Sequence, residues 1–263
     1  MMDVPIVSFI YNRPEAVRAS LGALRAIRPR TLFIVADGPR ADAADRERTE
    51  AARATAAASI DWSCDVTKIY APHNLGCARR VSSGITEVLQ QTEAAIILED
   101  DCVAHPTFFR FAAELLDKFA SGDRVASISG DNFHFGRTYG ADSYLFSRFP
   151  HCWGWATWAR AWRGYDHQMG GWEEFRSSGW LERTFGTSGA RYWRNALDRT
   201  FRGEIDSWAY RWAYACWKNE RLTIVPRVNL VSNIGFGAAA SHTRRRSPLE
   251  RVPVRPMTFP LQH

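Results

Sequence analysis

A short apolar segment that ends in three consecutive acids constrains this chain more than any other feature of its sequence. Residues 94–101 read Ala-Ala-Ile-Ile-Leu-Glu-Asp-Asp. An apolar run of this length predicts a strand that is buried on both faces, as in a parallel sheet. The acids then fall at the carboxyl end of the strand, where open α/β sheets bind their ligands. Because adjacent like charges repel, a hard divalent cation with oxygen ligands is a favourable partner here, and a solvated acidic turn is the alternative.

The composition predicts a folded chain without a membrane-spanning segment. The 263 residues are 46% hydrophobic, which is enough for a sizeable core. No apolar run approaches the roughly 18 to 20 residues that cross a bilayer. No basic leader precedes the apolar residues 4–11, so we expect a cytoplasmic location. Five scattered cysteines without a Cys-x-x-Cys pair favour a reducing compartment over disulfides or structural zinc.

Positive charge is concentrated near the end of the chain. The formal net charge is +6, and residues 241–263 carry Arg244, Arg245, Arg246, Arg251 and Arg255. A basic tail of this kind can contact anionic lipid at the inner face of a membrane, and it is equally typical of a solvated terminus. Since the basic residues are not interleaved with aromatic ones, we expect no nucleic-acid partner. The sequence leaves the oligomeric state open.

Strands and helices alternate along the first half of the chain. Predicted strands at residues 4–10, 31–36, 66–70 and 94–101 alternate with segments of helical periodicity or helical propensity. This alternation predicts an α/β fold with a mostly parallel central sheet and helices on both faces. Right-handed crossovers place the exit turns along one edge, so Asp37, Asn74 and the acids after residue 98 are expected to converge.

The second half is rich in tryptophan and less regular. Ten of the eleven tryptophans lie between Trp153 and Trp217. Trp155, Trp158 and Trp162 follow the i, i+3, i+7 spacing that predicts one helix, and most of these rings are expected to pack. Flat aromatic walls are also what a sugar-binding pocket needs.

Two exit turns carry groups suited to a nucleotide. Asp37, before Gly38, can accept hydrogen bonds from a base or ribose, or can serve the turn itself. Gly76 opens a helix whose free N–H groups attract anions, and Arg79 or Arg80 can add contacts to phosphate or lie on a solvated helix face. The G-x-x-x-x-G-K-[ST], G-x-G-x-x-G and G-x-S-x-G motifs are missing, which removes support for ATP-loop, dinucleotide-binding and α/β-hydrolase functions.

Taken in order, the motifs resemble those of a GT-A glycosyltransferase. The resemblance extends from the first strand to His242 and is nearest to inverting enzymes of the N-acetylglucosaminyltransferase I type and their bacterial relatives. The residues that carry it are Ser8-Phe9-Ile10-Tyr11-Asn12-Arg13, Asp37-Gly38, Asn74-Leu75-Gly76, Leu98-Glu99-Asp100-Asp101 and Asp206-Ser207-Trp208.

The resemblance implies a domain plan and a reaction. It implies one GT-A domain at residues 1–240, with a nucleotide-sugar half at 1–101 and an acceptor half at 102–240, followed by the basic tail at 241–263. It implies transfer of a hexosyl or N-acetylhexosaminyl group from a nucleotide-diphosphate sugar, such as a UDP-sugar, to a hydroxyl of a glycan, lipid-linked or protein acceptor. The implied cofactor is a divalent metal, Mn²⁺ or Mg²⁺.

The resemblance also implies roles for individual residues. Asp101 and His242 would bind the metal, and Asp206 would be the general base, although an Asp directly before a helix is also a preferred N-cap. The implied acceptor-binding residues are Trp153, Trp155 and Trp208. The implied nucleotide- and donor-binding residues are Phe9, Tyr11, Asn12, Arg13, Asp37, Asn74, Gly76, Arg79, Glu99 and Asp100.

Two alternative functions are compatible with parts of the sequence. A nucleotidyltransferase would make a nucleotide sugar instead of using one. That class shows a glycine-rich loop after the first strand, where this chain has Tyr11-Asn12-Arg13-Pro14. A basic, non-catalytic binding module would act through the tail and the aromatic residues, with steep salt dependence if it bound nucleic acid.

Overall fold

The computed structural model describes residues 4–137, 140–236, 249 and 252–263. The strands in these ranges are β1 Ile6–Ile10, β2 Thr31–Ala36, β3 Asp65–Tyr70, β4 Ala94–Glu99, β5 Cys102–Ala104, β6 Val125–Ser129, β7 Tyr144–Ser147, β8 Trp155–Trp158, β9 Leu222–Pro226 and β10 Val231–Asn233. The helices are α1 Pro14–Leu24, α2 Ala43–Ser59, α3 Cys77–Leu89, α4 Pro106–Lys118, α5 Ala159–Trp162, α6 Trp172–Ser177, α7 Trp180–Phe201 and α8 Trp208–Lys218. Within the described ranges, no helix combines the length and apolarity needed to cross a bilayer.

Eight of the strands form one sheet in the order β3-β2-β1-β4-β8-β6-β9-β7. Strands β1 to β4 pair in parallel, and β9 pairs in parallel with β6. Strand β8 is antiparallel to both β4 and β6, and β7 is antiparallel to β9. Only β7 and β8 therefore oppose the direction of the other strands in this sheet, which confirms the predicted α/β class with a mostly parallel sheet.

Helices cover both faces of the sheet, which explains the continuous apolar runs of β1 and β4. Because side chains alternate along a strand, Ile96 packs in the core on one face, together with Leu21 of α1, while Ile97 packs in the core on the other, with Val81 of α3. The apolar stripe of each helix thus meets one of the two faces.

The predicted helix through Trp155, Trp158 and Trp162 was wrong. Trp155 and Trp158 are the first and last residues of strand β8, and only Trp162 lies in a helix, the short α5. Strand β8 fills the space between β4 and β6 and supplies hydrogen-bond partners to both. The sheet therefore overrides a helical spacing that is shared by three bulky residues.

The sequence also gave no indication of a 22-residue helical segment, α7. Gly186 has a φ of 67° inside it, so the segment is two helices joined at a kink. Its apolar residues Leu181 and Leu197 pack with Trp172 and Trp217 in a separate cluster beside the sheet. This cluster accounts for much of the tryptophan content of the second half.

The last twelve residues, which end the tail predicted at 241–263, pack against the domain. Met257 is 7% exposed and its N–H donates to Thr107 Oγ1 at 3.0 Å. The N–H of Arg255 donates to the carbonyl of Asn229 at 2.9 Å. Arg244, Arg245, Arg246 and Arg251 lie outside the described residues.

Two glycines let the chain approach itself closely where β6 ends and β8 begins. The N–H of Gly130 donates to the carbonyl of Gly154 at 2.6 Å. A Cβ placed on Gly130 would lie 2.5 Å from Val231, 2.6 Å from the Gly154 carbonyl and 2.8 Å from Phe108. No larger residue fits there without moving the backbone.

We therefore expect Gly130→Ala to lower the free energy of unfolding by about 1 to 3 kcal/mol through overpacking. Urea denaturation measures the change. The matched control is Gly22→Ala in α1, where a Cβ meets nothing within 4 Å. That variant should be stabilised by about 0.5 to 1 kcal/mol, because alanine is the better helix former. Equal effects of the two substitutions would contradict the packing described here.

Candidate functional site

The carboxyl ends of β1, β2, β4 and β6 meet at one edge of the sheet, as the alternation of elements predicted. Phe9 pairs with Glu99 across β1 and β4, while Trp155 pairs with both Ile97 and Ser129. Because β8 runs in the opposite direction, the residues that precede it lie beside the ends of β4 and β6. The acids after β4 therefore lie at the same part of the sheet edge as residues 151–154, and we call this part of the edge the crevice.

Arg13 binds two members of the acidic cluster, Glu99 to Asp101. Its guanidinium pairs with Asp100 and, at 3.0 Å, with Asp101. The side chain of Asp100 is 5% exposed. Burial raises the pKa of Asp100 to about 6 even though Arg13 acts to lower it. Arg13 and Asp100, both predicted to bind the donor, thus bind each other and hold the start of α1 against the end of β4.

Glu99 and Asp101 are the partly exposed members of the acidic cluster, whereas Asp100 is buried. Burial, followed by the charges of Asp101 and Asp100, raises the pKa of Glu99 to about 8, and a hydrogen bond from Trp208 opposes the rise. The side chain of Asp101 is 17% exposed, and its Oδ1 accepts from Asn233 Nδ2 at 3.3 Å. One guanidinium therefore faces three carboxyl groups, and the cluster retains an excess of negative charge.

Asp37 and Asn74 lie together, as predicted. They bond to each other and to nearby backbone groups. Asn74 Nδ2 donates to Asp37 Oδ2 at 2.9 Å, and the N–H groups of Leu75 and Gly38 donate to Oδ1 at 2.9 and 2.8 Å. Burial raises the pKa of Asp37 despite these hydrogen bonds. This carboxylate ties the loop before α3 to the end of β2.

Asp206, the predicted base, lies at the N-terminus of α3, and the alternative role of N-cap to the helix that follows is taken by Ser207. Its Oδ1 accepts from the N–H of Ala78 at 3.1 Å, whereas the N-cap of α8 is Ser207. Gly76 has a φ of 81°, and a Cβ on it would lie 2.8 Å from Asp206 Oδ2. Glycine is thus needed for both the backbone conformation and the close approach of the carboxylate.

The thiol of Cys77 shows that these distant parts of the sequence converge. Its pKa is raised by burial and then by the charges of Glu99, Asp206, Asp101 and Asp37. Electrostatic effects of this kind require the charges to be close. The crevice therefore gathers acids from the ends of β2 and β4 and from the segment before α8 around the first turn of α3.

Tyr11 and Asn12, predicted to bind the nucleotide, bind a residue that the sequence did not single out. The Tyr11 hydroxyl donates to Asp45 Oδ2 at 2.5 Å, and Asn12 Nδ2 donates to Asp45 Oδ1 at 2.6 Å. The N–H of Arg40 adds a third bond to this carboxylate at 2.8 Å. Asp45 lies inside a charged helix, so its sequence context indicates a solvated residue, whereas it is 2% exposed.

Several other predicted residues are placed in the core. Phe9 packs between β1 and α3 at 5% exposure. Trp155 and Trp208 are 1% and 2% exposed, and their rings stack at 5.3 Å between β8 and α8. Trp155 thus packs the core in this structure, and Trp208 reaches the crevice through its bond to Glu99.

The two arginines of α3 differ. Arg79 is exposed near the opening of the helix. Arg80 is 7% exposed and donates to the carbonyl of Ile69 at 3.3 Å. Only Arg79 is therefore available to a ligand.

Trp153 is half-buried on the opposite side of the acidic cluster from α3. Its ring contacts Phe133 at 4.8 Å and Phe236 at 5.4 Å, both edge to face. His151 stacks on Phe133 at 4.9 Å. This aromatic group adjoins the segment that touches Asp101, because the N–H of Ile234 donates to the Asp101 carbonyl at 2.8 Å.

The donor set at the end of β4 fits a cation in part. Glu99 and Asp101 carry hard oxygen ligands, and Asp100 Oδ2 is a buried oxygen with no partner in the described part of the chain. Among the described residues, no three His, Cys, Asp or Glu side chains are grouped to hold a metal. His242, the second predicted ligand, lies outside those residues.

Comparison with known proteins yields distant structural likenesses. No protein-family model matches the chain. No curated protein is similar in sequence. Among solved structures, it is similar to a UDP-glucose pyrophosphorylase complexed with UDP-glucose, with 7% identity, 86% of this chain and 90% of that chain covered, and a TM-score of 0.42.

Two further structures have similar values. Mouse xyloside xylosyltransferase 1 in its apo form has 13% identity, covers 82% of each chain and gives a TM-score of 0.37. A putative glucose-1-phosphate thymidylyltransferase from Bacillus anthracis, in complex with a sucrose, has 6% identity, covers 61% of this chain and 74% of its own, and gives 0.39. At these identities and TM-scores the likenesses assign no activity to this chain.

Asp45 gives a test of how the crevice is held together. Burial acts to raise its pKa, but hydrogen bonds from Tyr11, the Arg40 backbone and Asn12 bring it down to about 2. The carboxylate therefore stabilises the fold above the unfolded pKa near 4, and this contribution is lost as the pH falls towards 2.

We expect Asp45→Ala to lower the free energy of unfolding by about 3 kcal/mol at neutral pH, because three donors lose a buried charged partner. Between pH 4 and pH 2 the variant should lose less stability than the wild type. Denaturant titrations across that range measure both effects. Asp42→Ala, which removes the exposed N-cap of α2, is the control and should cost about 1 kcal/mol. Indistinguishable variants would show that Asp45 does not organise the loop.

Proposed function

We propose that this protein is a metal-dependent glycosyltransferase that moves a sugar from a nucleotide-diphosphate sugar to an acceptor hydroxyl. The observation that carries the proposal is that Asp206 contacts the first turn of α3 while Glu99 and Asp101 lie at the end of the central strand β4, at the carboxyl edge of a mostly parallel sheet. Nucleotide ligands of α/β sheets bind at this edge. The ordered motifs that resemble GT-A enzymes meet at the same place.

The described residues supply separate parts of such a site. Free N–H groups at the start of α3 and the exposed Arg79 favour an anionic group, while Asp206 occupies one of those N–H groups. On the other side, Trp153 and Phe236 present aromatic edges and faces suited to a sugar ring. Donor and acceptor would thus meet above Glu99.

A divalent cation would be held by Asp101 and Glu99. When bound, it supplies positive charge to the diphosphate that leaves as the sugar–phosphate bond breaks. Arg13 orients Asp101 through the contact between its guanidinium and the carboxylate. Asp206 is the candidate for the base that an inverting displacement requires, and a UDP-sugar is the donor we would test first.

Isothermal titration calorimetry of UDP binding, with and without Mn²⁺, tests the metal site. We expect Mn²⁺ to tighten UDP binding, and Asp101→Asn to weaken this metal-dependent binding by about tenfold or more, because a ligand carboxylate is lost. Asp65→Asn, at the opposite edge of the sheet, makes the same charge change away from the crevice and should leave binding unchanged. A UDP affinity that changes neither on adding Mn²⁺ nor in Asp101→Asn would refute the site.

Asp206→Asn separates the chemical step from binding. The amide oxygen of Asn can still accept from Ala78, so we expect UDP affinity within about threefold of wild type and turnover reduced by about a hundredfold through the lost carboxylate charge. A screen of donor hydrolysis over nucleotide sugars supplies the rate assay. Unchanged turnover would remove Asp206 from the reaction, and pyrophosphate release from a nucleoside triphosphate and a sugar phosphate would indicate nucleotidyl transfer instead.

A further inference from the structure

His151 and Asp131 form a pair that none of these roles uses. His151 Nδ1 lies 2.5 Å from Asp131 Oδ1. Asp131 is 0% exposed, and it also accepts from Ser129 Oγ at 2.9 Å and from the N–H of Trp153 at 3.1 Å. With both oxygens engaged, the carboxylate is fixed and so is the imidazole bonded to it.

The ring of His151 is also held by packing, and one of its nitrogens remains open. It stacks on Phe133 with an interplanar angle of 18°. The side chain keeps 18% of its surface exposed, and Nε2 has no hydrogen-bond partner among the residues the structure describes. A histidine held by a buried carboxylate at Nδ1 and open at Nε2 has the geometry of a general base.

The pair lies on the acceptor side of the acidic cluster. Trp153 bonds to Asp131 through its N–H, and its ring contacts Phe236, next to the residues that cover Asp101. Burial raises the pKa of the Cys152 thiol, and the charges of Glu99, Asp131 and Asp101 raise it further. The acidic cluster and Asp131 therefore lie within electrostatic reach of the same side chain. The acidic cluster follows β4 and Asp131 follows β6. Only β8 lies between these two strands, so the strands are roughly 10 Å apart.

Asp206 lies on the other side, against Gly76 and the N-terminus of α3. Because Asp206 Oδ1 is engaged by the N–H of Ala78, this carboxylate is suited to supplying charge, and the proton transfer falls to another group. His151 is suited to that transfer, since Asp131 stabilises the imidazolium that forms when the ring takes a proton.

We propose that His151 Nε2 takes the proton from the acceptor hydroxyl, with Asp131 as its positioning residue; this inference rests on the proposed function. In that step the acceptor oxygen bonds to the anomeric carbon, the bond from that carbon to the diphosphate oxygen breaks, and its electron pair leaves with the diphosphate. The hydroxyl proton moves to Nε2. The acceptor class is a neutral hydroxyl-bearing ring that packs on Trp153 and Phe236.

The pH dependence of the reaction distinguishes the two bases. Burial acts to lower the pKa of His151, but the charge and hydrogen bond of Asp131 outweigh it and raise the pKa above its ordinary value. The neutral ring is the active form, so turnover should fall as the pH drops through that raised value. Removing the charge of Asp131 lowers the pKa, so the fall should move to lower pH.

The experiment measures pH–rate profiles for the hydrolysis of whichever nucleotide sugar the screen identifies, with water as the acceptor. We expect an acid limb in the wild type and in Asp206→Asn, a shift of that limb to lower pH in Asp131→Asn, and a loss of about 10² to 10⁴ in rate without this limb in His151→Gln. UDP binding should stay unchanged in all of them. His263→Gln, at an exposed ring on the far edge of the sheet, is the control and should match the wild type.

Normal turnover with an intact acid limb in a folded His151→Gln variant would overturn the inference and leave the proposed function standing. If the wild type hydrolyses none of the nucleotide sugars and does not bind UDP, the proposed function itself fails. NMR titration of the histidines provides a measurement independent of activity. A His151 pKa that Asp131→Asn does not lower would also refute the pair.

Discussion

The compensation of negative charge at the end of β4 is the constraint on which the rest of the site depends. Three carboxyl groups lie together at the end of a strand that is buried on both faces, and within the described structure Arg13 pairs with two of them. The guanidinium can bind two carboxylates at once because its donors form a planar fork. Arg13 also starts α1, so the same contact fixes the direction in which the chain leaves β1.

The crevice uses most of its polar groups to hold its own loops. Asp37 orders the loop before α3, Asp45 orders the loop after β1, and Asp131 orders the turn before β8. Each is buried and accepts several hydrogen bonds, which rigidifies the surrounding backbone. Glu99, Asp101, Asp206 and His151 are therefore held in a rigid frame, as precise positioning requires.

The first half of the fold could be predicted from the sequence because its signals are local. Apolar runs with helical segments between them defined β1 to β4, and the rule for parallel strands placed Asp37 and Asn74 together. Strand β8 could not be predicted in this way, since its tryptophans have helical spacing and its pairing depends on β4 and β6. Asp45, Asp131 and His151 were missed for a related reason. The Tyr11–Asp45 and Asp131–His151 contacts join residues 20 or more apart, and a single sequence does not show which polar residue a fold will bury.

The segment 252–263 is docked on the domain. Asn233 pairs with Cys102 beside the acidic cluster, and the Val252 carbonyl accepts from Asn229 Nδ2 at 3.3 Å. The described chain is therefore held to the domain at residue 233 and again from residue 252 onward. The end of the chain is part of the packed domain, so its removal would uncover Thr107 and Asn229.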